Sequence, residues 1–414
     1  MSEKLSQFAV MVKPVGSACN LRCRYCYYLP VHVSDCKMSD ETLEGTIRNV
    51  IDSSQGPVVS FVWHGGEPTL AGLDFYRKAV EIQKRYLPAG WEAWNNLQTN
   101  GFALDEEWCT FLKENRFDVG LSIDGTKGNH DFFRKDINGD DTYEKVKASV
   151  LLLKEHGIRP DLLCTVTSHT VQDPVGVYEA LRDLGTGWMQ FIPVINRDEE
   201  GNVLPESVTP EQYGDFLCTI FNRWIYHDLG KVNVQLFVEL VNIMAGGEAS
   251  LCWLQKSCGK VPVIEADGKV YSCDHFVRKE HCIGAVSEPV SDLLNEERQS
   301  AFRRMKEDGL TSKCRNCPYL PLCYGGCPKD RFLVNEEGEK GQYYLCEGLR
   351  QLFRVAVGPI RRLVELNALH VPQKEIMQIL LKEEKEQWKD VGRNDPCPCG
   401  SGKKAKKCCY PRRP

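Results

Sequence analysis

A chain of 414 residues exceeds one average domain, and 42% apolar content is enough to bury a real hydrophobic core. Its formal charge of −5 is mild and gives no reason to expect nucleic acid as a partner. The opening MSEKLSQFAVMVKPVG holds no continuous apolar segment of the signal-peptide kind, and no 18-residue apolar run occurs anywhere, so neither secretion nor a membrane span is expected.

From residue 8 to about 235, short apolar runs alternate with amphipathic helical patterns, the mark of βαβ units on a parallel sheet. The strands expected in order are Phe8–Val12, Val58–Trp63, Asn96–Gln98, Val119–Ile123, Leu162–Val166 and Met189–Val194. Between them fall helices near Glu41–Ile51, Phe75–Tyr86, Glu106–Asn115 and Tyr143–His156, the first opened by Ser39 as cap with Asp40 and Glu41 at the positive end of the dipole. Six such units can close partway into a barrel whose open side admits a large substrate. A helical stretch near Pro210–Met244 follows. Residues 252–346 are rich in Cys, Gly and Pro, with short strands at Val261–Glu265 and Lys269–Tyr271, as in a small domain organised by metal. Helices at Glu347–Leu366 and Gln373–Val391 precede a basic, cysteine-containing tail.

Twenty cysteines are too many for an ordinary cytosolic protein, and without a targeting segment a secreted disulfide framework is a poor account of them. Fifteen fall into three groups with ligand-like spacing, which points to metal in a reducing, cytoplasmic compartment; Cys36, Cys109, Cys164, Cys218 and Cys282 stand outside and read as packing residues. The first group is Cys19-x3-Cys23-x2-Cys26, on the loop after the first strand. Three thiolates can hold three irons of a 4Fe–4S cluster and leave the fourth open, whereas a structural cluster calls for four; a zinc site or buried thiols is the plainer alternative.

This triplet resembles the signature of the radical S-adenosylmethionine superfamily, in which the cofactor's amino acid end chelates the open iron. The resemblance implies further contacts with S-adenosylmethionine: Tyr25 near the adenine, Gly66 and Glu67 of Gly65-Gly66-Glu67-Pro68 at the amino group, Ser122 and Arg134 at the ribose and carboxylate, and Ile195 at the adenine. An acid complements an ammonium, and an arginine can fork onto a carboxylate. Relatives often carry Gln where this chain has His64, read here as a strand-end residue; Gln98-Thr99-Asn100-Gly101 faces the same site.

The second group, Cys258-x9-Gly268-x4-Cys273, then Cys314-x2-Cys317-x5-Cys323-x3-Cys327 and Cys346, is similar to the SPASM extension, which carries two auxiliary 4Fe–4S clusters. With Cys252 as the eighth ligand, the resemblance assigns Cys252, Cys258, Cys273 and Cys327 to one cluster and Cys314, Cys317, Cys323 and Cys346 to the other, leaving electron transfer as their role. A zinc ribbon at Cys314–Cys327 is the alternative. Asp274 follows Cys273 directly, and the anaerobic sulfatase-maturating enzymes use an aspartate at that place as catalytic base; a structural cap on the cluster loop is the other reading.

The implied fold is α/β: a partial (β/α)6, TIM-like barrel over residues 1–235, a SPASM domain over 236–370, a helical linker over 371–392 and a tail over 393–414. The implied activity is oxidation of a Cys or Ser in a sulfatase polypeptide, within a Cys/Ser-x-Pro-x-Arg motif, to Cα-formylglycine, with a reduced flavodoxin- or ferredoxin-type donor. The tail, with Cys397, Cys399, Cys408 and Cys409, resembles the SEC-C motif and implies zinc; its lysines suit an acidic chaperone or translocation partner, or no partner. Two rivals stay open. One is a SPASM enzyme that cross-links or trims a small peptide; the other is a non-catalytic iron–sulfur carrier.

Overall fold

The computed structural model describes residues 9–28, 37–295 and 297–407; Cys36, Cys408 and Cys409 lie outside them. In chain order the strands are β1 Ala9–Val12, β2 Val58–Trp63, β3 Glu92–Thr99, β4 Asp118–Ser122, β5 Asp161–Val166, β6 Trp188–Pro193, β7 Asn233–Val234, β8 Val263–Ile264, β9 Lys269–Tyr271, β10 Cys282–Ala285, β11 Arg331–Val334 and β12 Lys340–Tyr343. β1 to β6 are the six expected strands. The fold is α/β with mostly parallel pairing.

Packing divides the chain into two units. The first comprises the described residues up to Ile123 with His130–Leu162 and Ser257–Asp308. Here β1, β2, β3 and β4 pair in parallel, and helices Asp40–Ser53, Leu73–Tyr86 and Glu106–Glu114 connect them. Ser39 caps its helix as expected, accepting from Thr42 N. β2 alternates half-buried and buried residues, so Val59, Phe61 and Trp63 pack in the core while Ser60 and Val62 share the opposite face. β3 is longer than its apolar centre suggested, because polar Asn95 is satisfied inside: its Oδ1 accepts from Trp63 Nε1 and Gln83 Nε2, both at 2.9 Å.

The expected division at residue 235 is not where packing divides the chain. β8 pairs in parallel with β1 through Met11↔Val263 and Val12↔Ile264, and antiparallel β9 and β10 extend that edge. Ser257–Asp308 therefore completes the first unit.

The second unit comprises Asp124–Asn129, Leu163–Lys256 and the described residues from Gly309 on. β6 pairs in parallel with β7, and β11 with β12 as an antiparallel hairpin. The helical stretch expected near Pro210–Met244 is interrupted. Helix Pro210–Arg223 opens with a Thr209/Gln212 capping box, passes into a π turn at Trp224–Asp228, and Gly230 turns the chain at φ 80° before β7 and helix Gln235–Met244. Helices Cys346–Ala368 and Gln373–Gln387 follow. Among the described residues no helix is long and apolar enough to cross a membrane.

Candidate active site

After Val12 the chain leaves the sheet and carries Cys19, Cys23 and Cys26, all half-buried and outside any disulfide, on one loop. A second loop is clamped against it. Gly66 N donates to Gly16 O and Glu67 N to Ala18 O, both at 2.8 Å. A Cβ on Gly66 would meet Ala18 O at 2.2 Å, so only glycine allows this approach. On its other side the cysteine loop is zipped to the segment after Phe132: Arg22 N donates to Lys135 O (2.7 Å) and Arg24 N to Phe133 O (3.1 Å).

That pairing brings Arg134 to the loop. Its guanidinium lies 5.5 Å from the Tyr25 ring, which packs on Phe133 at 5.4 Å. Neighbouring polar residues hold the turn. Asp131 Oδ1 accepts from Thr142 N and Tyr143 N at 3.0 and 2.9 Å, and Thr142 Oγ1 donates to Arg134 O at 2.8 Å while meeting His130 Nε2 at 3.0 Å. Ser122 ends β4, and Gln98 Nε2 donates to its Oγ at 3.3 Å, so these two share the sheet face that the strand alternation predicts.

Glu67 is engaged inside the protein. It is fully buried, and four donors already occupy its carboxylate: Thr69 N, Thr69 Oγ1 and Thr99 Oγ1 on Oε1, and Asn100 N on Oε2, at 2.6–3.0 Å. Burial pushes its acid up and these donors oppose that. These bonds join the glycine loop to the Asn100 turn. Asn100 in turn places its Nδ2 3.7 Å from Cys19 Sγ, and Leu21 N donates to the same sulfur at 3.4 Å.

These thiols fit a 4Fe–4S cluster. Burial pushes Cys19 up to about 11, with Glu67 and Cys26 adding to it, so ligation needs the positive charge of iron. Among the described residues no group of three His, Cys, Asp or Glu could hold a single metal ion. Thiolates on one zinc converge at about 2.3 Å from the metal, whereas a cuboidal cluster takes one thiolate per iron and spaces them widely.

Asp274 opens a short turn after β9 in the same unit. Its Oδ1 lies 2.6 Å from Lys13 Nζ, and its Oδ2 accepts from the Tyr27 hydroxyl at 3.0 Å. Lys13 also reaches Glu265 Oε1 at 3.1 Å and stands 5.0 Å from the Tyr28 ring centre. Burial alone would raise the Asp274 carboxyl; Lys13, then His64 and His275, outweigh it and hold it well below the usual carboxylate range. Burial holds His64 below an ordinary imidazole, and its Nδ1 accepts from Gly65 N at 2.7 Å, which leaves the proton on Nε2. His64 is thus part of the Asp274 surroundings and not merely a strand end. Lys13, Tyr27, Tyr28 and Glu265 escaped the sequence reading. The available signal was a charged residue ending each of two apolar strands, Val-Met-Val-Lys13 and Val-Ile-Glu265.

In the second unit Cys314, Cys317, Cys323 and Cys346 line one cavity of about 120 Å³, walled by Tyr319, Leu349 and Phe353. Burial pushes Cys346 up to about 12, with Glu347 and Cys314 adding, while Lys313 works the other way. Four thiols around one cavity fit the cluster that the resemblance assigned to them. Cys327 is likewise pushed up to about 12 by burial, then by Asp330, with Cys252 among its neighbours. Cys258 and Cys273 are half-buried in the first unit, and Ile195 is buried in the second, after β6. In the tail, Cys397 packs with Trp388 and Ala405 in a small core bordered by Cys399, Val391 and Val355; the expected ligands Cys408 and Cys409 lie outside the described residues. Cys109, Cys164 and Cys218 are buried, as packing residues should be.

Three thiols on a strand-end loop and four around a separate cavity, on an α/β frame, define an iron–sulfur protein. The Radical SAM superfamily model matches residues 14–181, an iron-sulfur cluster-binding domain called SPASM matches 252–318, and the SEC-C motif matches 393–411. The chain is 40% identical over 370 residues to the serine-type anaerobic sulfatase-maturating enzyme of Bacteroides thetaiotaomicron, covering 83% of this chain and 88% of that one. It is 33% identical over 360 residues to the cysteine-type enzyme of Clostridium perfringens, covering 84% and 96%. The solved structure of native anSMEcpe with bound AdoMet and Cp18Cys peptide matches with TM-score 0.80 at 32% identity, over 86% of this chain and 99% of that one. The chain belongs to the anaerobic sulfatase-maturating enzymes of the radical SAM superfamily, whose cofactors are S-adenosylmethionine and 4Fe–4S clusters.

Proposed function

We propose that this enzyme oxidises the β-carbon of a Cys or Ser in a sulfatase polypeptide to give Cα-formylglycine. The observation that carries the reading is Asp274, the residue after Cys273, ion-paired to Lys13 and partly exposed within the unit that holds the cysteine triplet. When bound, S-adenosylmethionine at the reduced cluster of Cys19, Cys23 and Cys26 supplies a one-electron oxidant that takes a hydrogen atom from the target, and an auxiliary cluster supplies the acceptor for the second electron. Asp274 takes the remaining proton from the target thiol or hydroxyl. The target thus loses two electrons and two hydrogens; a serine gives the aldehyde directly, and a cysteine gives a thioaldehyde that water hydrolyses to it with release of hydrogen sulfide. Ser122 and Arg134 are the polar groups for the cofactor's ribose and carboxylate, and Tyr25 the aromatic one for its adenine. Gly66 lies on the loop that would meet the cofactor's amino group, held there by its close approach to the cysteine loop. Cys314, Cys317, Cys323 and Cys346 hold one auxiliary cluster.

Free thiols and a strongly reduced cluster suit the cytoplasm, with a flavodoxin- or ferredoxin-type donor. The tail cysteines hold zinc in this reading. The test is mass spectrometry of a peptide containing Cys/Ser-x-Pro-x-Arg after anaerobic turnover. A mass loss matching aldehyde formation is expected. An intramolecular thioether, or no 5′-deoxyadenosine at all, would replace the reading with a cross-linking enzyme or an electron carrier.

A further inference from the structure

A buried cation stands behind the carboxylate that this reading makes the base. The Lys13 side chain has no exposed surface, and two carboxylates flank its ammonium, Asp274 Oδ1 at 2.6 Å and Glu265 Oε1 at 3.1 Å. A lysine is almost never fully buried unless paired. The backbone explains the placement. Val12 pairs with Ile264, and Lys13 N donates to Ile264 O at 2.9 Å, so Lys13 and Glu265 leave adjacent parallel strands one step past the end of the register. Asp274 arrives from the far end of the β8–β9 hairpin. Its side chain keeps 17% exposure, so it can meet a peptide and Lys13 cannot.

We propose that Lys13 is a positioning residue for the oxidation: by binding Oδ1 of Asp274 it presents Oδ2, the oxygen facing the Tyr27 hydroxyl, to the target side chain, while Glu265 braces the ammonium from behind. The proposal rests on the reading of Asp274 as base. Asp274 begins a turn of only three residues, which fixes a side chain poorly, so the ion pair supplies the fixation. Placement matters steeply, since about 1 Å of displacement can cost 10²-fold in rate. Without Lys13 the Glu265 and Asp274 carboxylates would confront each other unscreened, and repulsion would drive Asp274 from its position.

Four variants of the full chain, each reconstituted anaerobically, test this: Asp274→Asn, Lys13→Met, Lys13→Arg, and the double variant Lys13→Met with Glu265→Gln. Iron content, 5′-deoxyadenosine and formylglycine are measured together on cysteine and serine versions of one peptide. The double variant removes Glu265 together with Lys13, so that the buried Glu265 carboxylate is not left facing Asp274 without a cation. In Lys13→Met and in the double variant, iron content and deoxyadenosine should persist while formylglycine per deoxyadenosine falls roughly 10- to 100-fold. The fall should be greater for serine, whose hydroxyl yields its proton less readily, and Lys13→Arg should recover part of it. A double variant with the parental product ratio would mean that Lys13 only neutralises Glu265. Loss of iron in both Met variants would mean that the pair serves the fold. Either result overturns the proposal. Formylglycine formed normally by Asp274→Asn would overturn the base reading itself, so the two failures are told apart.

Discussion

Gly66 shows how much of the site depends on single atoms. The backbone oxygens of Ala18 and Ser17 would lie 2.2 and 2.5 Å from a Cβ at this position, and backbone cannot swing aside as a long side chain can. Gly66→Ala must therefore part the glycine loop from the cysteine loop, breaking the bonds to Gly16 O and Ala18 O. A loss of about 1–3 kcal/mol is expected from such overpacking. Iron should fall by about a third as the open-iron cluster is lost. Thermal melting and iron assay check this, and parental values of both would refute the clamp. Constraints of this kind were legible in the sequence, because a glycine pair and a cysteine triplet announce themselves at fixed spacing. What Glu67 does was not legible. An acid shows in the sequence, but the donors that occupy it come from Thr69 and from the Thr99–Asn100 turn, and only the fold brings that turn across.

Strands carry charges at their ends as well as in their loops, and the opposite end of the sheet from Lys13 offers a contrast. Asp118 opens β4 and Asp161 opens β5, and among the described residues no cation offsets the charge on Asp161 as Lys13 does for Glu265 and Asp274. Partial desolvation of its carboxyl, then the charge of Asp118, pushes Asp161 up to about 6. An unfolded aspartate titrates near 3.9, so the folded chain holds this proton more tightly than the unfolded chain does. The resulting stabilisation is present below about pH 4 and is lost as pH rises through 6, leaving two like charges at neutrality. Asp161 is exposed, so screening trims the cost to about 1 kcal/mol or less. Asp161→Asn should accordingly raise the urea midpoint at pH 7 and leave it unchanged at pH 4. An equal gain at both pH values would assign the effect to something other than charge. Element positions were largely legible, since β2 and β9 fall where periodicity put them. The break at Trp224–Asp228 was hidden because Pro210–Met244 keeps its apolar helical spacing across it, and only Leu229-Gly230 interrupts the run.

At the scale of the molecule, order along the chain and order in space part company. The cysteine-rich region reads as one block, yet Ser257–Asp308 packs with the first strands and Gly309 onward with later helices. Pairing of β8 with β1 causes this, and no local pattern in a two-residue strand announces its partner. The tail is the opposite case, set apart by composition and equally separate in its packing. Its small core of Cys397, Ala405 and Trp388 meets the rest of its unit at Val355 of helix Cys346–Ala368. Helix Gln373–Gln387 is anchored before that point: Glu384 accepts from Tyr226 on Oε2 at 3.0 Å and from Trp388 Nε1 on Oε1 at 2.6 Å. All these anchors precede residue 393, so removal of 393–414 should leave helix, clusters and chemistry in place. Roughly twelve irons per chain are expected to remain, with formylglycine yield on a short peptide within about twofold of the parent, while about one zinc per chain disappears. Metal analysis and the peptide assay measure both. A truncated chain that loses iron or turnover would make the tail part of the catalytic body, and one that never held zinc would remove the metal from the tail.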